Sequence, residues 1–231
     1  MLSALGFLST IGRSSPPTDR TFRWFPLAGA VIGGIVALVW WGAQEVWALP
    51  VAAALVIAAD LAITGLLHVD GLADSVDGLL PHLDRERRLE VMRKPDVGAF
   101  ALGVVPCILL LRWASLASGV PSPWSLVAIW ALSRTLAAAA PSFLPYARTD
   151  GLALPFLGAA NRWLLAACVP AGAVLVAAEG TLGLIAAVAA AASAAALLGV
   201  AQRRLGGFTG DVLGAVIVAA ETAALLVLAA R

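Results

Sequence analysis

The 231-residue chain is 61% hydrophobic and 13% charged, with a mean hydropathy of +0.94. Soluble domains carry about 25% charged residues, so this composition excludes an ordinary soluble domain and predicts an all-α, polytopic membrane bundle forming one unit over residues 1–231. A net charge of +1 gives no basis for a nucleic-acid partner, and the two cysteines, Cys107 and Cys168, sit in apolar runs as buried thiols rather than as a disulfide or zinc site.

Residues 1–12 are apolar but too short to span a bilayer, which suits a helix at the interface or packed on the bundle. No basic stretch precedes them, so a cleavable signal peptide is not expected. Residues 13–23, with Pro16 and Pro17, read as a loop. Apolar runs then predict seven spans at about 24–43, 48–67, 97–118, 122–141, 162–178, 181–201 and 212–230. Segment 82–94 reads as a charged surface helix, and 142–161 as a loop with room for a re-entrant piece.

Lysine and arginine alternate between the loops. Arg13, Arg20 and Arg23 precede the first span; Arg85, Arg87, Arg88, Arg93 and Lys94 follow the second; Arg148 and Arg162 follow the fourth; Arg203 and Arg204 follow the sixth. The intervening loops have none. The positive-inside rule therefore places the N-terminus in the cytoplasm, with membrane lipid around the bundle. The polar loops 68–96, 142–162 and 202–211 share that face, so one site can draw on all three.

The chemistry concentrates in His68-Val69-Asp70-Gly71-Leu72-Ala73-Asp74-Ser75-Val76-Asp77-Gly78. Helical spacing puts Asp70, Asp74 and Asp77 within about 60° of arc. Carboxylates that close raise one another's pKa unless a cation intervenes, and Mg²⁺ takes such oxygens together with substrate phosphates. The alternative is a solvated acidic helix end. A second cluster, Arg203-Arg204-Leu205-Gly206-Gly207-Phe208-Thr209-Gly210-Asp211, could cradle phosphate on backbone amides at a helix start, although a plain glycine turn explains it as well. Asp60, Arg134 and Glu221 lie deeper. Each costs roughly 2.5–3.5 kcal/mol at a span centre, so each is expected to face a partner inside the bundle, by Asp60–Arg134 or Glu221–Arg134 pairing. Arg112 is expected to snorkel to the far interface.

Together these segments resemble the cobalamin synthase, or adenosylcobinamide-GDP ribazoletransferase, family over nearly the whole chain. The resemblance is carried by Leu2–Thr10, Phe25-Pro26-Leu27-Ala28-Gly29, the acidic motif, Arg88-Leu89-Glu90-Val91-Met92, Ser133-Arg134, Tyr146-Ala147-Arg148 with Gly151-Leu152, and Gly206–Asp211 with Gly214-Ala215. The sequence departs from the family pattern at Arg93-Lys94-Pro95-Asp96, where many members read a basic residue and then Asp-Ser-Arg. It departs again at Val218, where many have a glutamate three residues before Glu221.

The resemblance implies transfer of adenosylcobinamide phosphate from its GDP-activated form to α-ribazole or its 5′-phosphate, releasing GMP. It implies Mg²⁺ on Asp70, Asp74, Asp77 and Asp211, and His68 or a carboxylate as proton acceptor, although His68 falls on the opposite side of a regular helix from Asp70. Arg134, Arg148, Arg203, Arg204, Gly206, Gly207 and Thr209 are the expected substrate contacts. Two other readings stay open. A CDP-alcohol phosphotransferase would need Asp-Gly-x-x-Ala-Arg and a later Asp-x-x-x-Asp, whereas Asp70-Gly71-Leu72-Ala73-Asp74 lacks the arginine and compresses the spacing. An ion-coupled transporter would use Asp60, Arg134 and Glu221 as its path.

Overall fold

The computed structural model describes residues 1–11, 21–119, 121–148 and 162–230. Most of the expected loop at 13–23 and most of that at 142–161, including Gly151 and Leu152, lie outside them, while Thr21–Trp24 form a 3₁₀ turn. The described residues form helices α1 (Leu2–Leu8), α2 (Phe25–Val46), α3 (Leu49–Thr64), α4 (Leu67–Leu79), α5 (Arg85–Val91), α6 (Ala99–Ala117), α7 (Pro123–Ala139), α8 (Cys168–Glu179), α9 (Thr181–Leu205) and α10 (Gly210–Ala229). Local chemistry sets several ends. Pro26, Pro50 and Pro123 occupy first turns, where a missing N–H costs nothing. Asp84, Ser122 and Thr209 cap α5, α7 and α10 by accepting from the amides of Arg87, Ser125 and Val212.

The protein is an all-α, multi-pass membrane bundle. Thr21–Val46, α6, α9 and α10 are each long and apolar enough to cross a bilayer. α10 is the central one: most of its side chains are buried, against α9, α4, α7 and α6. On α9 the exposed residues include Leu184, Ile185 and Val188, as a lipid-facing helix requires. Each expected span coincides with a helix, but not all reach spanning length. α7 has 17 residues and lies enclosed, and α8 has 12 after a 3₁₀ turn at Arg162–Ala167. Gly29 and Gly33 of α2 let it press on α7, where a Cβ would stand 2.6 Å from the Trp130 carbonyl and 2.7 Å from the Trp130 Cβ.

The expected span at 48–67 is broken. Gly65 and Leu66 both have left-handed backbone, at φ 58° and 63°, and α4 leaves α3 at 88°. A left-handed leucine costs roughly 1–2 kcal/mol, and the N-terminal strap offsets it. The Thr10 amide donates to the Ile63 carbonyl at 2.7 Å and the Thr10 hydroxyl to Ala62 and Ile63, covering carbonyls that the end of α3 leaves open. α1 itself packs on the bundle through Ala4, Leu5 and Leu8.

α4 then runs across the end of the bundle, over the starts of α6 and α10. Arg85 ties the other loops to that end, donating to the carbonyls of Leu205 (2.7 Å) and Ala147 (2.9 Å). Arg148 reaches the Met92 carbonyl at 3.1 Å. The three polar loops read from the sequence therefore meet at one end. At the other, Trp40 and Trp113 donate to the carbonyls of Pro121 and Pro50, and Glu179 accepts from the Ser122 amide and the Ser125 hydroxyl.

Candidate active site at the end of the bundle

A cleft of about 250 Å³ opens where α1, the start of α2, α4 and the start of α10 meet. Phe7, Phe22, Phe25 and Tyr146 form an aromatic wall, with Leu8, Leu213 and Ile217 beside them. Phe22 meets Phe25 edge to face at 4.7 Å, and Phe7 stacks on Phe25 at 6.0 Å. His68, Asp70, Arg148 and Asp211 supply the polar lining. Gly71 and Gly214 are required by the crossing of α4 on α10. A Cβ on Gly71 would stand 2.8 Å from the Asp211 carbonyl and 3.2 Å from the Gly214 Cα. Gly71 thus serves the approach of a helix.

The aspartates expected to act alike take different positions. Asp70 is exposed at the cleft, and Asp74 is half-buried on the next turn. Burial first, then the charges of Asp211 and Asp70, push the Asp74 carboxyl up to about 7, against the opposing charge of Arg148. Asp77 is buried and faces the start of α6, where its two oxygens accept from the amides of Gly98 (2.7 Å) and Ala101 (3.0 Å). It caps that helix from a distance, anion against N-terminus. Asp211 pairs with Arg148 at 2.8 Å. His68 is buried, lines the cleft, and has no hydrogen-bond partner at either ring nitrogen among the described residues.

The glycine turn is occupied by protein. Gly206 closes α9 in the left-handed region at φ 75°. Gly207 lies so close to the Pro145 carbonyl that a Cβ would overlap it. Around it the Phe208 amide donates to Pro145 at 3.0 Å and the Ala147 amide to Phe208 at 2.8 Å. The Thr209 hydroxyl is the cap of α10 and sits 3.3 Å from an Asp211 oxygen. These groups shape the cleft's rim and do not form an open phosphate cradle. Arg204, expected to contact substrate, instead donates to the carbonyls of Leu79 and Leu80, and Arg88 donates to those of Gly78 (2.7 Å) and Leu79 (2.9 Å). Both guanidiniums close the C-terminal end of α4, where the helix dipole favours cations. Arg203 is exposed beside them.

Arg134 is likewise committed elsewhere. It forms a buried ion pair with Glu221, and Glu221 also binds Arg112 at 3.0 Å. Arg112 reaches Asp60 at 3.1 Å, and Asp60 accepts from the Trp130 indole at 2.8 Å. Of the two pairings expected for Arg134, the one with Glu221 forms. Arg112 does not snorkel; it is buried at 2% exposure because two carboxylates hold it inside. The four charges cancel. No single loop pattern could have shown the roles of Arg85, Arg88 and Arg112, whereas Phe22 and Phe25, three apart at the start of a span, carried a signal for the aromatic wall.

The cobalamin-5-phosphate synthase family model matches residues 1–229. The chain belongs to that family. A relative from Leptothrix cholodnii is 40% identical over 88% of this chain and 82% of its own length; one from Deinococcus radiodurans is 36% identical over 94% and 81%. One from Chlorobium phaeovibrioides is 33% identical over 93% and 89%, and all three are named adenosylcobinamide-GDP ribazoletransferase. No solved structure matches.

Membership decides against the CDP-alcohol and transporter readings. The family-like segments also gather in space. Those around Phe7, Phe25, Asp70, Tyr146 and Asp211 line the cleft, and Met92 receives Arg148 just behind it. Val218, at the position where many members carry a second glutamate, packs with Leu72 and Ala215 in an apolar cluster.

Proposed function

We propose that this protein is a Mg²⁺-dependent adenosylcobinamide-GDP ribazoletransferase, with its site on the cytoplasmic side of the bacterial inner membrane. The observation that carries the reading is the convergence of Asp70, Asp211 and Arg148 on one cleft with Asp74 beside them, in a chain of this family. In the proposed reaction a ribose hydroxyl of α-ribazole or its 5′-phosphate attacks the corrinoid-side phosphorus of the diphosphate. As the new P–O bond forms, the bond from that phosphorus to the bridging oxygen breaks. GMP leaves with that oxygen, and the hydroxyl proton passes to a nearby carboxylate or to His68. Positioning and charge neutralisation dominate such transfers.

Asp70 and Asp74, with Asp211, would hold the cation. Among the described residues no group of three His, Cys, Asp or Glu side chains stands ready to hold a metal ion. Mg²⁺ keeps waters and shares its shell with substrate phosphates, so the diphosphate would have to complete the proposed site. When bound, it supplies positive charge to the diphosphate oxygens and the departing GMP. Asp77, with both oxygens on the amides of α6, would orient α4 rather than join the ligands. Arg148, held at 2.8 Å from Asp211, is placed to meet a phosphate oxygen beside the cation.

Purified protein given adenosylcobinamide-GDP and α-ribazole should yield GMP and the cobalamin product in equal amounts; no GMP above background would refute the reading. EDTA should stop that release and Mg²⁺ restore it, and indifference to chelation would remove the cation from the reaction. The pH dependence follows from Asp74. Its carboxyl titrates near 7, so below that pH a proton must leave before a cation can bind. The Mg²⁺ concentration giving half-maximal rate should rise roughly tenfold per pH unit below 7 and level off above it. In the metal-free protein, stability contributed by protonated Asp74 is lost as pH rises from the ordinary carboxylate range through about 7. Protection from heat by Mg²⁺ should therefore grow over the same window. A half-maximal concentration flat from pH 6 to 8 would contradict the assignment.

A further inference from the structure

We infer that the cleft is the site of the acceptor riboside, its base lying against Phe7 and Tyr146 and a sugar hydroxyl bonded to His68, while the corrinoid stays outside. The inference deepens the ribazoletransferase reading and rests on it.

Size gives the first argument. Pockets for drug-sized ligands run about 300–1,000 Å³. At about 250 Å³ the cleft holds a nucleoside-sized group, not a corrin macrocycle.

Polarity separates the two nucleosides in the reaction. The part of the wall that a base could meet is Phe7 and Tyr146, which are half-buried, while Phe22, Phe25, Leu8 and Ile217 are all but fully buried around them. Guanine presents N–H and carbonyl groups around its edge, and each left unpaired against such a wall would be penalised. The base of a benzimidazole riboside has a single ring-nitrogen acceptor and no N–H or carbonyl on its edge, and it gains from stacking. The polar groups lie where a sugar would follow. His68 is 4% exposed, and neither ring nitrogen has a hydrogen-bond partner among the described residues. Buried polar atoms are rarely left so, and a hydroxyl in the cleft would satisfy one. With the base on the wall, the ribose lies toward Asp70 and Asp211, where the diphosphate is proposed to sit.

The test is a separation of the two substrates' KM values, using the full-length protein in detergent. Wild-type GMP release is measured first; its absence would overturn the ribazoletransferase reading and this inference with it. With wild type active, Phe7→Ala and His68→Asn should each raise the KM for α-ribazole roughly tenfold. The KM for adenosylcobinamide-GDP should stay within about twofold. His68→Gln, which can still donate and accept, should recover part of the α-ribazole affinity. Equilibrium dialysis of α-ribazole alone gives a second readout: wild type should bind it without the corrinoid, and Phe7→Ala should not. If the corrinoid KM rises instead, the cleft belongs to the donor; if neither KM moves, it holds neither substrate. Either result overturns the inference and leaves the ribazoletransferase reading standing.

Discussion

Asp74→Asn should lower turnover roughly a thousandfold or more while leaving the protein folded and inserted. Groups that neutralise the transferring phosphoryl commonly supply such factors, and Asn keeps the shape of Asp but cannot take the ionised form a divalent cation requires. The same exchange removes one of a set of crowded charges. Burial, Asp211 and Asp70 together hold the Asp74 carboxyl near 7, so its ionisation works against the fold. The metal-free variant should thus melt no lower than wild type at pH 8. Loss of activity with unchanged or raised melting temperature separates a metal-site role from a packing role. Turnover within about tenfold of wild type would remove Asp74 from the site.

Arg134→Met should destabilise the protein by roughly 3–5 kcal/mol, the usual result of stripping one partner from a buried pair. Glu221 would keep Arg112, but Asp60 and Glu221 would then share a single buried cation. Adding Glu221→Met to Arg134→Met leaves Asp60 and Arg112 as a balanced pair, and most of the loss should be recovered. Thermal unfolding of the single and double variants in detergent checks this. A double variant as unstable as the sum of the singles would mean that the charges act independently rather than as one neutral set.

The helices were legible where hydrophobicity alone decides them. α2, α6, α9 and α10 begin and end within a few residues of the apolar runs. The break at Gly65–Leu66 was not legible. Apolar residues continue through it, and the left-handed Leu66 is sustained by Thr10, more than fifty residues away in sequence. Arg112 failed for a related reason. Its depth suggested snorkelling, but its partners Asp60 and Glu221 lie on other helices. The acidic motif was legible as a cluster, yet its members could not be sorted. On a helical wheel Asp70, Asp74 and Asp77 are equivalent, and only the placement of α6 commits Asp77 to the amides of Gly98 and Ala101. The glycine turn misled in the opposite direction. Its composition fits a phosphate cradle, and the segment at Pro145–Ala147 fills it instead.

The central claim, that the carboxylates beside the cleft hold a divalent cation jointly with the substrate's diphosphate, is tested most directly by Mn²⁺ binding followed by electron paramagnetic resonance. Wild-type protein should bind Mn²⁺ weakly alone and much more tightly with adenosylcobinamide-GDP, whereas Asp74→Asn should lose that enhancement. Mn²⁺ affinity that is unchanged by the nucleotide, or equal in wild type and Asp74→Asn, would contradict the account.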